Sequence, residues 1–418
     1  MEKPKLFEDR RSLLLTIASL IILLSLRLLF LYNDYRAFVS APFYFTHATV
    51  LNAYIKHKDN HSYQVLKLQS DEGWHFYTTV HRHKDLSHTR LRLQLFPNKS
   101  ISFWDYLGSF YVKSRIKKVS PLLQTYKEEL TQKIASQHQD PTLQRFYNAI
   151  FFATPLKRSD REVIGKLGIS HLVALSGFHL GILWGVIYGF LWLLYKPLQQ
   201  RYFPYRYALI DVGGAAIVFL GIYVWFVGMP PSLVRAYAMV VAGWAVLIMG
   251  VELLSFPFLA VVTMGLTVFF PSLLVSLGFW FSVAGVFYIF LLLHYTQSWH
   301  KWTILLLVIP IGIFVLMLPV VHTVFPLTAS CQLLSVVLSL LFTPFYPLSI
   351  LLHLAGYGDL FDHALSTLFA IQCDTRESLL PWWMGAGYLI LSLAAIRYPM
   401  GFVVLMIAAF GYAGYLFV

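Results

Sequence analysis

Residues 171–185 read HLVALSGFHLGILWG, an apolar run into which two histidines, a serine and three glycines are set. Polar groups inside hydrocarbon cost free energy unless a partner or water satisfies them. His171, Ser176 and His179 therefore need a physical reason. Three are available: a catalytic group, the wall of a wet passage, or a hydrogen-bonding contact between helices. Which of them applies depends first on whether the run lies in a membrane at all. The 418-residue chain is 58% hydrophobic and only 12% charged, with a mean hydropathy of +0.64. Soluble domains carry about 25% charged residues. The composition is that of an integral membrane protein.

The formal charge of +12 is unevenly placed. Residues 32–160 hold 18 Lys/Arg against 10 Asp/Glu, a net +8, and 8 of the 15 histidines. One polar segment thus carries most of the basic character. Lys3, Lys5, Arg10 and Arg11 precede an apolar stretch from Leu13 to Leu31, long enough to span a bilayer, with Arg27 placed to snorkel at its far end. No small-residue cleavage site follows, so residues 1–31 read as a cytoplasmic N-terminus and an anchoring helix. Residues 40–118 alternate with period two in HATVLNAYIK, SYQVLKLQ, WHFYTTVHR, LRLQLF and GSFYVKSRIKK, the pattern of antiparallel strands. Five short strands suit a small all-β domain of the OB type, and a sandwich fragment would alternate similarly. Residues 121–170 read as amphipathic helices broken at Pro121, Pro141 and Pro155, a linker expected on the membrane surface.

From His171 onward the expectation is a polytopic α-helical bundle, with 171–355 as its core and 356–418 as a C-terminal loop and further spans. Spans are expected near 171–195, 207–228, 233–250, 256–270, 273–296, 302–320, 328–343, 345–355, 380–396 and 400–417. The short loop with Lys196, Arg201 and Arg206 contains no acid and should face the cytoplasm, as should the basic N-terminus. Both hold if residues 32–170 lie outside the cytoplasm. Cys331 and Cys373 are too few for a disulfide framework or a four-thiolate metal site. Cys331 lies in an apolar run and reads as a buried free thiol.

The block HLVALSGFHL resembles the signature of the ComEC family of competence proteins, inner-membrane channels for DNA uptake. Their His-Leu-x-Ala-x-Ser-Gly-x-His string is matched by His171, Leu172, Ala174, Ser176, Gly177 and His179. A second block is similar to the family's Gly-x-x-Pro-Ser-x-x-Arg-Ala, at Gly228, Pro231, Ser232, Arg235 and Ala236. A third, LGFWFSVAG at 277–285, matches Gly-Phe-x-x-Ser at Gly278, Phe279 and Ser282, with Trp280 where the family often has Gln. No segment matches the family's late Asn-containing stretch. The resemblance covers about residues 43–355. Many members continue into a metallo-β-lactamase-like nuclease domain, whereas this sequence ends in apolar residues at Val418.

The resemblance implies a channel that moves single-stranded DNA across the plasma membrane, not an enzyme. As partners it implies that DNA, membrane lipid, a cytoplasmic ATPase and an outer DNA receptor; it also allows a homo-oligomer. His171, Ser176, Gly177, His179, Ser232, Arg235 and Ser282 become the candidate channel lining. With about 1.5 Å of rise per residue, His179 should lie about 12 Å below His171, Arg235 about 6 Å deep and Ser282 about 14 Å deep, all in the outer half of the membrane. Arg235 in particular needs a partner or an aqueous cavity, since a cation in hydrocarbon is costly. Asp211 reads as an interfacial or structural acid. Gly177, Gly181 and Gly185 recur every four residues and invite close helix packing.

In the basic segment, Lys56, Lys58, Lys67, Arg82, Lys84, Arg90 and Arg92 stand among Trp74, Phe76 and Tyr77. Cations neutralise phosphates and aromatic faces stack on bases, so these are the candidate DNA-binding residues; a solvated basic face is the plainer alternative. Residues 81–88, HRHKDLSH, approach a His-x-His-x-Asp-His metal string, but His88 stands three residues past Asp85 and the reading is a basic loop without metal. No cofactor is implied. The absence of a Gly-x-x-x-x-Gly-Lys-Ser/Thr string assigns energy supply to another protein or to a gradient. Two rival classes remain. An intramembrane serine hydrolase would use Ser176 with His179 as base, and a small-solute permease would show inverted repeats, which are not evident.

Overall fold

The computed structural model describes residues 7, 9–58, 61–80, 86, 89–121, 126–249 and 255–417. It divides into two compact units, one of residues 7–128 with 260–277, the other of residues 129–259 with 278–418.

The first unit begins with α1 (Arg10–Ser40), which extends the expected anchor by two turns beyond Leu31. Six strands follow: β1 (Tyr44–Lys58), β2 (His61–Ser70), β3 (His75–Val80), β4 (Thr89–Phe96), β5 (Ser109–Tyr111) and β6 (Lys113–Pro121). A short helix, α2 (Phe103–Leu107), connects β4 to β5 and is closed by a capping box between Ser102 and Asp105. The expected five strands become six because GSFYVKSRIKK divides at Val112, which is buried and donates its N–H to Tyr77 O at 3.0 Å. The sheet order is β5-β3-β2-β1-β4-β6. β3 and β5 pair in parallel and the other ladders are antiparallel. Since β5 and β6 are consecutive in the chain yet lie at opposite ends of that order, the sheet must curl on itself, and Thr78 Oγ1 meets Ser114 Oγ at 2.8 Å across the closure.

The period-two pattern does what it should. Leu91, Leu93 and Leu95 are fully buried, whereas Arg90, Arg92 and Phe96 between and beside them point outward. Each such leucine contributes roughly 1.5–3 kcal/mol of burial. Phe38 near the end of α1 plugs this core, with ring centroids 5.0 Å from Trp74, 5.5 Å from Phe110 and 5.6 Å from Tyr106.

The second unit is helical. Its helices are α3 (Tyr126–Ala135), α4 (Pro141–Phe152), α5 (Arg158–Lys166), α6 (Ser170–Val173), α7 (Gly177–Tyr202), α8 (Ala208–Val227), α9 (Pro231–Ile248), α10 (Phe256–Phe269), α11 (Leu277–Tyr295), α12 (Lys301–Thr303), α13 (Ile309–His322), α14 (Leu334–Ala355), α15 (Asp362–Phe369), α16 (Trp382–Ala394) and α17 (Pro399–Phe417), with α3 and α11 shared between the units at one end and most of α10 belonging to the first unit. α12 and α13 are joined by a π-helical stretch at Ile304–Val308 into one continuous rod. Among the described residues, seven helices, α1 included, are long and apolar enough to cross a membrane, and three shorter apolar helices accompany them. The fold is a polytopic helical bundle with a small β domain near its N-terminus, as the sequence indicates.

Three expectations need correction. The run 171–195 is not one helix: α6 ends at Val173 and α7 begins at Gly177. The spans expected at 328–343 and 345–355 are one helix, α14, which passes through Pro344 and Pro347. Cys331 is not a free thiol but is bonded to Cys373, 42 residues away. The reason is topological. A short strand β7 (Leu327–Ala329) pairs antiparallel with β8 (Thr375–Glu377), and Ala329 faces Thr375. Two residues further along the same register, Cys331 faces Cys373.

Eight residues of α4 are buried, among them Phe146, Tyr147 and Phe151, in a core shared with Phe342 and Tyr346 of α14. At its outer edge the Arg145 guanidinium forks onto Asp160 at 2.6 and 3.1 Å and holds that carboxyl below the usual carboxylate range.

Candidate functional site

The interruption between α6 and α7 is built by Ser176 and His179. Ser176 is extended, with φ −137° and ψ 179°, and serves as the N-cap of α7. Its Oγ accepts the Phe178 N–H at 3.3 Å, and its own N–H donates to His179 Nδ1 at 3.3 Å. This is a capping box in which histidine takes the place usually held by Glu or Gln. A helix that starts among buried residues leaves its first N–H groups without partners, and these two side chains supply them. A backbone amide can only donate, so Nδ1 carries no proton and the neutral ring bears it on Nε2. That atom is buried with no hydrogen-bond partner among the described residues, and the ring stands edge-on to Phe342 and Tyr346 at 5.1 and 4.8 Å.

The same geometry speaks to the hydrolase reading. Ser176 Oγ lies 3.3 Å from His179 Nδ1, but that lone pair is shared with the Ser176 N–H at the same distance, and among the described residues no carboxylate orients the far side of the ring. Ser176→Ala should therefore cost about 1 kcal/mol of helix stability. A fluorophosphonate should leave Ser176 of the native protein unlabelled; labelling that heat denaturation abolishes would restore the hydrolase.

The second block makes the tight turn between α8 and α9. Gly228 closes α8 with φ +97°, which a side chain would resist, and Pro231 opens α9. The turn sets Ser232, half-buried, and Arg235 on the first turns of α9. The guanidinium carbon of Arg235 lies 5.8 Å from the centroid of the buried Phe279 ring. Gly278 lies beside the guanidinium, where a Cβ would stand in ordinary contact, 3.5 Å from Nη2. Gly177, in turn, lies against Ala236, to whose Cβ a side chain at 177 would approach at 3.4 Å. The first block thus touches the second and the second touches the third.

The remaining lining candidates are placed less centrally. His171 is exposed, and its Nε2 donates to Ser339 Oγ at 3.2 Å, the Ser339 hydroxyl being turned to Ser335 O. Ser282 is exposed one turn along α11 from Gly278. Asp211 is held by Tyr195 at 2.5 Å and Arg206 at 2.9 Å. The glycine stripe departs from expectation beyond Gly177. Gly181 and Gly185 are exposed with no atom near where a Cβ would sit, and the close packing is instead made by α8, whose Gly213 and Gly221 receive Trp244 and Tyr237. The bulky rings on α9 demand a smooth partner, and α8 provides it.

On the β domain the candidate DNA-binding residues separate. Phe76 is fully buried in the core and offers no face to a base, which corrects that expectation. Trp74 is half-buried among Phe38, Tyr44 and Tyr106. Lys67 lies 5.9 Å from the ring of Tyr77, both half-buried. Lys56 is exposed. Arg82 and Lys84 lie outside the described residues, together with most of the HRHKDLSH string, and of Lys58 only the backbone is described.

Arg90, ion-paired to Asp71, and Arg92, 6.0 Å from the Phe45 ring, are exposed on β4. Sequence reading missed what stands beside them. Register pairs Arg92 with Lys118, Gln94 with Arg115 and Phe96 with Lys113 on β6, and pairs Gln94 with Phe45 on β1. Lys113, Arg115 and Lys118 are all exposed, as are Phe43, Phe45 and Phe96. Aligning the alternation of LRLQLF with that of SRIKK would have found this face.

Among curated proteins and among solved structures nothing matches the chain. The family model described as competence protein matches residues 154–418, well over half of the sequence and all three blocks. With its many apolar helices, this multi-pass membrane protein belongs to the competence protein family.

Proposed function

We propose that the chain is the plasma-membrane channel through which single-stranded DNA enters the cytoplasm during competence. The observation that carries this reading is the meeting of the three motif blocks. Gly177, Ala236, Arg235, Gly278 and Phe279 are distant in sequence yet contiguous in one unit. Together they present the Arg235 cation beside small and aromatic surface. One guanidinium can exchange successive phosphates, whereas a dense cluster of charge would trap a polyanion. Gly181 and Gly185 on α7 and Ser282 on α11 are exposed, and in this reading they continue that surface.

Orientation supports the same reading. From a cytoplasmic basic N-terminus, α1 carries the β domain outside, and alternation through α7–α13 returns residues 323–333 to the outside. The loop with Lys196, Arg201 and Arg206 and the one with His300 and Lys301 then face the cytoplasm. A disulfide at Cys331–Cys373 persists on the oxidising side, which agrees for Cys331. Since Cys373 is bonded to it and His353 to His138, both ends of α14 face that same side in this reading, and α14 does not cross.

In this reading the β domain is an OB-type module that captures the incoming strand, and a sheet that curls on itself with β3 and β5 in parallel supports that. The capture face is the outer surface of β1, β4 and β6, where Arg92, Lys113, Arg115 and Lys118 stand with Phe45 and Phe96. Replacing Lys113, Arg115 and Lys118 together by Glu in the full chain, reconstituted in nanodiscs, should weaken binding of a single-stranded oligonucleotide at least about tenfold and flatten the log–log salt slope by about 2. Unchanged affinity and slope would remove this face from the account.

A further inference from the structure

His138, His353 and Asp362 form a buried chain that the channel reading does not use. His138 Nδ1 lies 2.9 and 3.0 Å from the two oxygens of Asp362, and His138 Nε2 lies 2.9 Å from His353 Nε2. His353 Nδ1 lies 2.6 Å from Ser349 O. The His138 side chain is wholly buried, while that of Asp362 is 21% exposed and gives the chain an outlet to solvent. Gln137 ties the same two segments, donating to His353 O at 3.1 Å and accepting the Gly358 N–H at 2.9 Å. Tyr147 of α4 stacks on His138 at 4.3 Å and faces His353 at 4.6 Å; burial, helped by Asp362, pushes its hydroxyl well above the usual range, so it adds no charge.

We propose that this His–His–Asp chain is a proton-binding latch that holds residues 137–144 against the end of α14 and the turn after it in one protonation state only. The proton count follows from the partners. A carbonyl only accepts, so His353 carries its proton on Nδ1 and offers Nε2 as acceptor. His138 must then donate from Nε2. Its other nitrogen and Asp362 share one more proton, either as an imidazolium beside a carboxylate or as a neutral ring beside a carboxylic acid. Both descriptions contain the same number of protons.

One proton more must go to His353 Nε2 and breaks the histidine–histidine bond. If it goes to the carboxylate instead, the imidazolium loses its counter-ion in a buried site. One proton fewer sets lone pair against lone pair, at one end of His138 or the other. The latch is closed in a window and opens on either side of it. This inference stands on the cluster alone and is independent of the DNA-channel reading.

The test is hydrogen exchange on the full chain in nanodiscs, following the peptide that contains Gly358, with protection corrected for the intrinsic pH dependence of exchange. In the wild type, protection should be greatest in a window of pH and fall about ten- to a hundredfold on its acid side and again on its alkaline side, the factor set by a charge-assisted hydrogen bond. Asp362→Asn can donate its amide N–H to a neutral His138, so it should abolish the alkaline limb and keep the acid one. His353→Gln accepts through its amide oxygen and does not protonate, so it should move the acid limb to lower pH, where only the Asp362 carboxylate is left to take the extra proton; an acid limb that stays in place counts as surviving. A flat wild-type profile overturns the proposal, and the wild-type measurement does so whether or not the variants fold. A limb that survives its matching variant also overturns it, because a merely structural cluster would leave both limbs where they were.

Discussion

Arg235→Ala should reduce uptake of labelled single-stranded DNA on the order of a hundredfold, with membrane insertion and protein level unchanged. The magnitude is that of removing one desolvated charged partner from a polyanion interface, a loss of about 2–5 kcal/mol. The side chain lies over Phe279 and beside Gly278, so the substitution acts at the meeting of the second and third blocks. Arg235→Lys should fall between wild type and alanine: it keeps the charge but loses the planar fork that grips phosphate and stacks on an aromatic ring. Gly278→Leu should act through the same guanidinium, since a branched side chain would occupy the room that glycine leaves for Nη2. Transformation assays on a deletion strain complemented with each variant give the ranking. Wild-type uptake from all three would detach the motif blocks from transport.

Cys331→Ser should destabilise the bundle by about 4 kcal/mol in the chain-entropy account, for a closed segment of 42 residues. That is a large share of the stability of any domain. The bond joins the start of α14 to the strand that leads into α16, and it reinforces a ladder of only three residue pairs. Without it, β7 and β8 have little to hold them, and α14 loses its fixed start. The expected result is reduced abundance and a lower unfolding temperature, reproduced by reductant on the wild type. In the wild type, neither cysteine should react with a maleimide until reductant is added. Immediate labelling of both thiols in the untreated protein would contradict the pairing.

The parts of this architecture that could be read from sequence are those governed by a local period. Leu91, Leu93 and Leu95 alternate with Arg90, Arg92 and Gln94 because a strand has two faces, and the structure buries one of them. Apolar stretches long enough to cross a membrane declare themselves in the same local way. What was not legible depends on partners distant in the chain. The pairing of Cys331 with Cys373 follows from the β7–β8 register, and strands of three residues leave no periodic trace. The break before α7 turns on Ser176 and His179 acting as a cap, whereas the same letters in an apolar run look like an uninterrupted span.

The burial of Phe76 and the exposure of Lys118 are likewise settled by which strand lies alongside, not by composition. The motif blocks occupy an intermediate position. Their residues were identifiable as motif positions, whereas the turn that Gly228 and Pro231 make comes from the structure. Only the fold shows that Gly278 and Arg235 lie side by side. His138, His353 and Asp362 were invisible as a group, each being one polar residue in its own segment.

The central claim is that the surface carried by α7, α9 and α11 is a wet route for a polyanion. Substituted-cysteine accessibility reads this directly, because the native cysteines are bonded to each other and silent. Gly181→Cys, Gly185→Cys and Ser282→Cys should each react with a membrane-impermeant thiol reagent in reconstituted protein, and a single-stranded oligonucleotide should protect all three. Reaction only with a lipid-soluble reagent, unaffected by DNA, would place these positions against hydrocarbon and contradict the account.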